Sequence, residues 1–465
     1  MNHRAVPRRA VRRAPAFGAP WLVRQLRVLI GPLRGAQLCV AYSGGADSLA
    51  LLAALAAART RSGFSLRAVH INHRLQPQAG AMASAAQRAA DKLAVPCEVV
   101  RAPVRVPRGA SLEAAARAVR YATLRSRLVP GEWLLLAQHR DDQFETVLLQ
   151  LLRGAGVAGL AAMPERAGTL VRPLLHISGT ALRSYLKRRG IAWHEDPSNA
   201  DERFDRNYLR RRLTPLIEAR WPAASQTVAR SAALAAEAQT LLERLADKDL
   251  RTARDGAALQ VAVLRRLPAA ECRNALRRWL ALMDLPLPDQ RRLHEIAGPM
   301  LRARYDAQPE VSWPGVQVRR HRDLLYAVAG PTELASARDA APMLWDWRAQ
   351  PRLVLPAGGS LSLRPDASGP LALAALPAAF TVRFRLGGER LTARHGQQTL
   401  KRLLQEHHLP PWQRAAVPLL YLGQCLVAVA DWWCDPGLLY GAPAGAPGNA
   451  TGRPRARLHW TPPED

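Results

Sequence analysis

Lysine is nearly missing from this 465-residue chain. Only Lys92, Lys187, Lys248 and Lys401 stand among its 66 basic residues. An Arg-rich codon usage explains that choice of base. It does not explain the scarcity of acids: 37 Asp and Glu leave a net charge of +29. A balance this basic points to a polyanionic partner, with nucleic acid first. A membrane surface comes second, because no strong amphipathic basic helix supports it. Long hydrophobic runs are also lacking. No stretch reaches the roughly 18 apolar residues of a membrane span, and the best, Leu371 to Phe380, is broken by Pro377. Cysteine is sparse: Cys39, Cys97, Cys272, Cys425 and Cys434 are odd in number and widely spaced, with no C-x-x-C. That argues against a disulfide framework and a Cys-based zinc site, and it fits a cytoplasmic protein. The first 20 residues hold five Arg and no acid but no apolar signal region. They read as part of a basic arm, residues 1–35. Disorder throughout is excluded by a hydrophobic content of 48%, and the length suggests about three domains.

From residue 36 short apolar runs alternate with helical stretches. Strands are expected at Gln37–Tyr42, Leu66–Asn72, Glu98–Ala102, Trp133–Gln138 and Val171–Leu175. Helices are expected at Ser48–Ala58, Ala79–Ala94, Ser111–Leu128 with Ser111 as N-cap, from His139 to Arg153, and at Gly179–Arg189. That alternation is an α/β fold with a parallel sheet, here over residues 36–220. Residues 221–335 read as a helical domain, 336–380 as a linker with irregular or short β structure, 381–440 as a small α+β domain and 441–465 as a loose tail.

The strongest local signal is Ser43-Gly44-Gly45-Ala46-Asp47-Ser48, between the first strand and its helix. Glycines let the backbone turn sharply against a ligand. Free N–H groups at the helix start hold an anion, and the two hydroxyls add donors. An acid inside an anion loop makes sense when a metal ion lies between Asp47 and phosphates. The chain has no Gly-Lys dipeptide, so this is no Walker A loop, and G-x-G-x-x-G is absent here. A second cluster, His139 to Glu145, follows the fourth strand and so falls at the same sheet edge. Asp142 and Glu145, at i and i+3, share a helix face. They could hold a metal, receive an ammonium or take its proton. Glu113, Arg117, Arg120, Tyr121 and Leu124 also share a helix face. His70 and His73 alone are thin evidence for a metal site. Arg203 to Arg212 carries five Arg, suited to phosphate. From Arg383 to Arg414 seven bases face two acids; Leu400, Leu403 and Leu404 form a buried stripe that turns Lys401 and Arg402 outward.

Ser43–Ser48 resembles the S-G-G-x-D-S loop of the PP-loop ATP pyrophosphatases, which adenylate a carbonyl oxygen. Further segments resemble the tRNA(Ile)-lysidine synthetase family within it. They are Val69–His73, Glu113–Tyr121, Ala137–Thr146, Arg153–Gly156, Arg172–Leu175, Asp196–Asn199 and Asp205–Arg210. Arg74 and Gln76 depart from the pattern. The resemblance implies ATP and Mg²⁺, a CAU-anticodon tRNA(Ile) and L-lysine, with no membrane and no protein partner; a homodimer is left open. It implies Asp47, Asp142, Glu145 and Arg117 as catalytic, Asp47 also as metal ligand, and the whole Ser43–Ser48 loop, His70 and His139 as nucleotide-binding. Arg120, Arg206, Asn207, Arg210, Arg394, Lys401 and Arg402 would contact RNA. The rivals are a PP-loop tRNA thiolase, disfavoured by the missing cysteine pair, and an inactive RNA-binding protein, disfavoured by the intact acids.

Overall fold

The computed structural model describes residues 17–73, 79–106, 112–194, 201–329, 340–356, 358–366, 368–373, 376–393, 396–407, 409–435 and 455–461. The chain forms two compact units, residues 1–241 and 242–465.

The first unit opens with α1 (Ala19–Ile30), started by a proline in its first turn. It buries Leu22 and Leu26 and leaves Arg24 and Arg27 in solvent. Residues 17–35 are therefore part of the folded unit, not of a loose basic arm. The apolar i, i+4 spacing outweighs the charge that suggested otherwise.

Next come β1 (Gln37–Ala41), α2 (Ala46–Ser62), β2 (Ser65–Asn72), α3 (Ala79–Lys92), β3 (Cys97–Arg101), α4 (Leu112–Ser126) and β4 (Glu132–Leu135). Then follow α5 (Arg140–Leu152), α6 (Val157–Leu160), β5 (Arg166–Ala167), β6 (Leu170–Val171) and α7 (Gly179–Arg188). The sheet order is β3-β2-β1-β4-β6-β5. All pairs are parallel except the β5–β6 hairpin at one edge. Leu38, Cys39 and Val40 are at most 1% exposed, as a strand covered on both faces requires. α2 is buried nearly all round through Leu49, Leu51, Leu52 and Leu55. The expected fifth strand is cut to two residues. Pro173 has no N–H to continue the ladder, although Leu174 and Leu175 remain buried. Ser111 lies outside the described residues.

The chain runs from β1 through β2 to β3 on one side, then crosses back to β4 on the other side of β1. Such a switch point opens a crevice beyond the carboxyl ends of the strands. The loop after β1 and the start of α5 after β4 both border it.

α8 (Asp205–Tyr208), a π-helical turn Leu209–Leu213 and α9 (Thr214–Arg220) lead into the 30-residue α10 (Ala224–Ala253). In the second unit, α11 (Val261–Leu264), α12 (Ala269–Leu282) and α13 (Gln290–Glu295) are the expected helices. An antiparallel five-stranded sheet joins them: Arg254–Asp255, Ala258–Gln260, Glu310–Trp313, Val316–His321 and Leu324–Ala329. The helical reading through 335 thus needs correcting at 254–260 and after residue 300. Arg320 and His321 blur the alternation, because both are buried. The Arg320 guanidinium donates to the carbonyls of Met300, Leu301, Ala303 and Arg322.

The linker carries short strands, and the tail, expected to be loose, pairs with them. Arg352–Val354, Ser360–Pro365 and Leu371–Ala372 form one sheet with Arg455–Thr461, which is an interior strand. Ala456, Leu458 and Trp460 point inward at 0%, 4% and 8% exposure. This period-two pattern is short and sits beyond a Pro/Gly-rich stretch, which hides it. The helix Leu400–Glu406 buries Leu400, Leu403 and Leu404 and exposes Lys401 and Arg402, as expected.

Candidate active site

The turn between β1 and α2 is shaped by its glycines. Gly44 has φ +88, and a Cβ on it would lie 3.3 Å from the Ala86 methyl. The serines brace the turn. Ser48 Oγ accepts the Ser43 N–H (3.2 Å), lies 3.0 Å from Ser43 Oγ and donates to the Gly45 carbonyl (3.1 Å). Ser43 Oγ accepts the Gly45 N–H (3.4 Å). α2 then starts without a side-chain cap. Its first N–H groups face the crevice as an anion cradle.

Asp47, in the first turn of α2, links this loop to the second cluster. His139 Nε2 lies 3.4 Å from Asp47 Oδ2 and 3.7 Å from Asp142 Oδ2. His139 is also the N-cap of α5: its Nδ1 accepts the Asp141 N–H (3.2 Å), and Asp142 returns a bond to the His139 N–H (3.0 Å). Burial alone would keep this imidazole neutral. The carboxylates of Asp142, Asp47 and Asp141 outweigh burial and push its pKa up to about 9. Burial likewise opposes charge on Asp47. The His139 hydrogen bond, with Arg183 and Arg210, overrides it and holds that carboxyl below its ordinary value. Asp47 Oδ1 is buried and accepts no hydrogen bond among the described residues. An orphaned carboxylate oxygen beside an anion cradle fits a hard cation shared with phosphates, as Mg²⁺ usually binds. No group of three or more His, Cys, Asp or Glu able to hold a metal occurs among the described residues, so phosphate oxygens would have to complete the shell.

Arg206 and Arg210 reach the α5 acids from side chains that are 27% and 38% exposed. Arg210 grips Glu145 through Nε–Oε1 (2.6 Å) and a second nitrogen to Oε2 (2.9 Å), and it reaches Asp142 Oδ1 at 3.1 Å. Arg206 lies 3.2 Å from Glu145 Oε2 and donates to Thr146 Oγ1. Glu145 is 2% exposed, and burial raises its pKa while Arg210 resists. Asn207 donates to the Asp201 carbonyl at 2.9 Å.

The other expected residues lie further along the edge. His70 is buried, and its Nδ1 meets the Tyr42 carbonyl at 2.9 Å, so it supports the strand end that carries the loop. Burial lowers its pKa and keeps it neutral. Arg120 Nε lies 3.5 Å from His73 Nε2. Arg117 sits 5.1 Å from the Tyr121 ring centre. Burial would raise the Tyr121 phenol, but Arg117, Gln138 and Arg172 hold it below its ordinary value. Lys401 and Arg402 are exposed on their helix, Arg402 paired with Glu406 at 3.0 Å. Arg74, Gln76, Arg394 and Asp196–Asn199 lie outside the described residues, as does the Glu113 side chain.

Sequence reasoning gave no site role to three contributors. Arg172 is buried and bonds Gln138 Oε1 (2.6 Å) and the Pro164 carbonyl. Gly179 gives its N–H to Asp141 Oδ2 (2.9 Å). Arg183 is close enough to lower Asp47. Nothing in spacing flagged Gly179 or Arg183, because α7 reads as an ordinary amphipathic helix. A cleft of about 130 Å³ is lined by His139, Asp141, Phe144, Glu145, Arg183, Arg210, Thr214, Glu218 and Ser225. A larger cavity of about 570 Å³ at the β3 edge includes Asn72, Ser84, Arg101 and Arg127 but none of the loop or α5 acids.

Three family matches divide the chain: a PP-loop domain over residues 20–217, a TilS substrate binding domain over 259–326 and a TilS substrate C-terminal domain over 380–460. Similar chains include the tRNA(Ile)-lysidine synthase of Alkalilimnicola ehrlichii, 42% identical over 90% of this chain and 94% of that one. Those of Coxiella burnetii (39%, 85% and 88%) and Escherichia coli O157:H7 (39%, 86% and 92%) are similar as well.

Proposed function

The chain belongs to the tRNA(Ile)-lysidine synthase family, and on that footing we propose a two-step ligation on the wobble cytidine of a CAU-anticodon tRNA(Ile). The cytidine O2 attacks the α-phosphorus of ATP and pyrophosphate leaves. The ε-amine of L-lysine, freed of a proton, then attacks C2; the C2–O bond breaks and AMP departs. The product pairs with A, which turns a methionine tRNA into an isoleucine tRNA. No helix among the described residues is long and apolar enough to cross a membrane, in keeping with a cytoplasmic enzyme.

The observation that carries this reading is the His139–Asp47 contact. It makes one site of the anion cradle and the α5 acids. Within that site the Ser43–Ser48 backbone holds the phosphates. Asp47 would hold Mg²⁺, which would supply charge neutralisation for the departing pyrophosphate. The imidazolium of His139 fixes Asp47 and Asp142 and adds positive charge beside the phosphates. Arg117 and Arg172, flanking Tyr121, orient the anionic side of the adenylated base. Glu145, with its pKa raised by burial, takes the lysine proton. Arg206 and Arg210 hold that carboxylate in place rather than reading RNA phosphates. The anticodon base must be splayed out to reach this crevice. The second unit, with Lys401 and Arg402 exposed, holds the tRNA body through its backbone.

The test is incubation with ATP, Mg²⁺, labelled lysine and a CAU-anticodon tRNA(Ile) transcript, with elongator tRNA(Met) as control. Label in the first RNA only is expected. RNA-dependent AMP without label would hand the adenylated base to another nucleophile. No AMP at all would refute the reading.

A further inference from the structure

Within the second unit, the two matched segments share no core among the described residues. The part around residues 259–326 closes on Leu259, Leu276, Trp279, Val316 and Leu325. The part around 380–460 closes on Phe380, Val382, Leu404, Leu419 and Val429. A common packed interior would fix one part against the other; here a single side chain takes that place. Among the described residues, every ring contact that crosses between the two parts ends on Trp412. Pro410 and Pro411 precede it and stiffen its approach, and the Gln413 N–H closes the turn on the Pro410 carbonyl at 3.1 Å. The indole meets the hairpin of Val316–His321 and Leu324–Ala329. His321 and Tyr326 stand nearly perpendicular to it, with ring centres 6.1 and 5.5 Å away. The Arg319 guanidinium carbon lies 5.2 Å from its centre, a cation over the aromatic face that binds cations best.

The same seam crowds positive charge. Arg322 comes from the hairpin turn, Arg385 and Arg414 from the other part. Burial first, then the charges of Arg385 and Arg322, disfavour charge on Arg414. The Trp412 indole N–H and the Arg385 Nε–H are buried donors with no acceptor among the described residues. Like charges push the two parts apart, and orphan donors cost stability. An anion seated there answers both. We propose that Trp412 is a positioning residue: it pins the two parts of the second unit at one angle, and a phosphate of the RNA backbone, received by Arg322, Arg385 and Arg414, completes the joint. This rests on the RNA substrate proposed above. It adds that the unit gauges the folded RNA with two surfaces held at a fixed span, rather than as two independent basic patches. With a rigid span the second contact is intramolecular; a loose joint forfeits that gain.

The experiment reads binding and geometry, so it needs no chemistry. Dissociation constants are measured for the full-length CAU-anticodon tRNA(Ile) transcript and for its anticodon stem-loop alone. Trp412→Ala should weaken the full-length RNA about 10-fold and leave the stem-loop within about twofold, and Trp412→Phe should recover most of the loss. Arg385→Gln should weaken the full-length RNA and lower its salt slope by about one. The joint itself is read by spin labels on Cys425, which is exposed, and on Leu287→Cys, where the natural leucine is 52% exposed. Burial pushes the thiols of Cys97, Cys272 and Cys434 up to about 11 and that of Cys39 up to about 12, so these stay unlabelled. The label-to-label distance should be narrowly distributed in the unaltered protein and broad in Trp412→Ala. An unchanged distribution in that variant overturns the proposal, as does an equal loss of affinity for the two RNAs. If Trp412→Ala does not fold, Arg319→Gln removes only the cation over the ring and must show the same selective loss at smaller size; its absence overturns the proposal as well. A protein that binds the RNA in this way but attaches no lysine would sink the ligation reading and leave the joint standing.

Discussion

The His139 imidazole is buried at 4% exposure among three carboxylates, which makes its protonation state a sensitive test of the site. Its pKa rises from 6.5 to about 9, worth about 3 kcal/mol at most in favour of the folded, protonated state. One contact works the other way. Nδ1 accepts the Asp141 N–H at 3.2 Å, and protonation gives up that cap at a cost of about 1 kcal/mol. The net contribution is then about 2 kcal/mol. Because the folded-state pKa is raised, this stability is fully present below 6.5 and is lost as pH climbs through the folded-state midpoint. Histidine-selective ¹⁵N labelling reads the midpoint directly, with the signal assigned by its loss in His139→Gln. Chemical denaturation of the protein and of that variant should converge by about 2 kcal/mol between pH 6.5 and 9.5. A midpoint at or below 6.5 would refute the reasoning. It would mean that the neutral Nε2–H tautomer merely donates to Asp47 while Nδ1 stays on the cap.

Removing Arg210 by Arg210→Ala leaves Glu145 buried with only Arg206 for compensation, and denaturation should show a loss of about 3 kcal/mol, near the lower bound for a broken buried pair. Gly44→Ala forces an L residue to φ +88 with a methyl 3.3 Å from Ala86. The KM for ATP should rise while the circular dichroism spectrum is retained. Asp47→Asn removes the charge from the orphaned oxygen and the His139 partner together. RNA-dependent AMP formation should fall by about 10²–10³-fold, the scale of one lost electrostatic contact in a reacting site. Truncation after residue 454 removes Leu458 and Trp460 from an interior strand. Each contributes about 2–3 kcal/mol of burial, so unfolding of the second unit should shift to lower denaturant and the product should aggregate.

What the chain order alone determined was local. The Ser43–Ser48 turn, the strands and helices around it and the Asp142/Glu145 face depend on neighbours within a few residues, and glycine geometry and period-2 or period-3.6 patterning act at that range. The stripe of Leu400, Leu403 and Leu404 was legible for the same reason. α1 was less so, because its charge masked two leucines. The strand Arg455–Thr461 was hidden because its partner, Ser360–Pro365, is nearly a hundred residues away, and a seven-residue alternation gains meaning only once paired. The site divides in the same way. Sequence located the acids and arginines but sent Arg206 and Arg210 to RNA. Only the approach of the segment after α7 to α5 turned them onto Glu145 and Asp142. The start of α2 brought Asp47 to His139, whose other two carboxylates, Asp141 and Asp142, are its own neighbours in the chain. Burial and charge pairing between segments roughly 60 to 90 residues apart are properties of the folded chain, so no motif could state them.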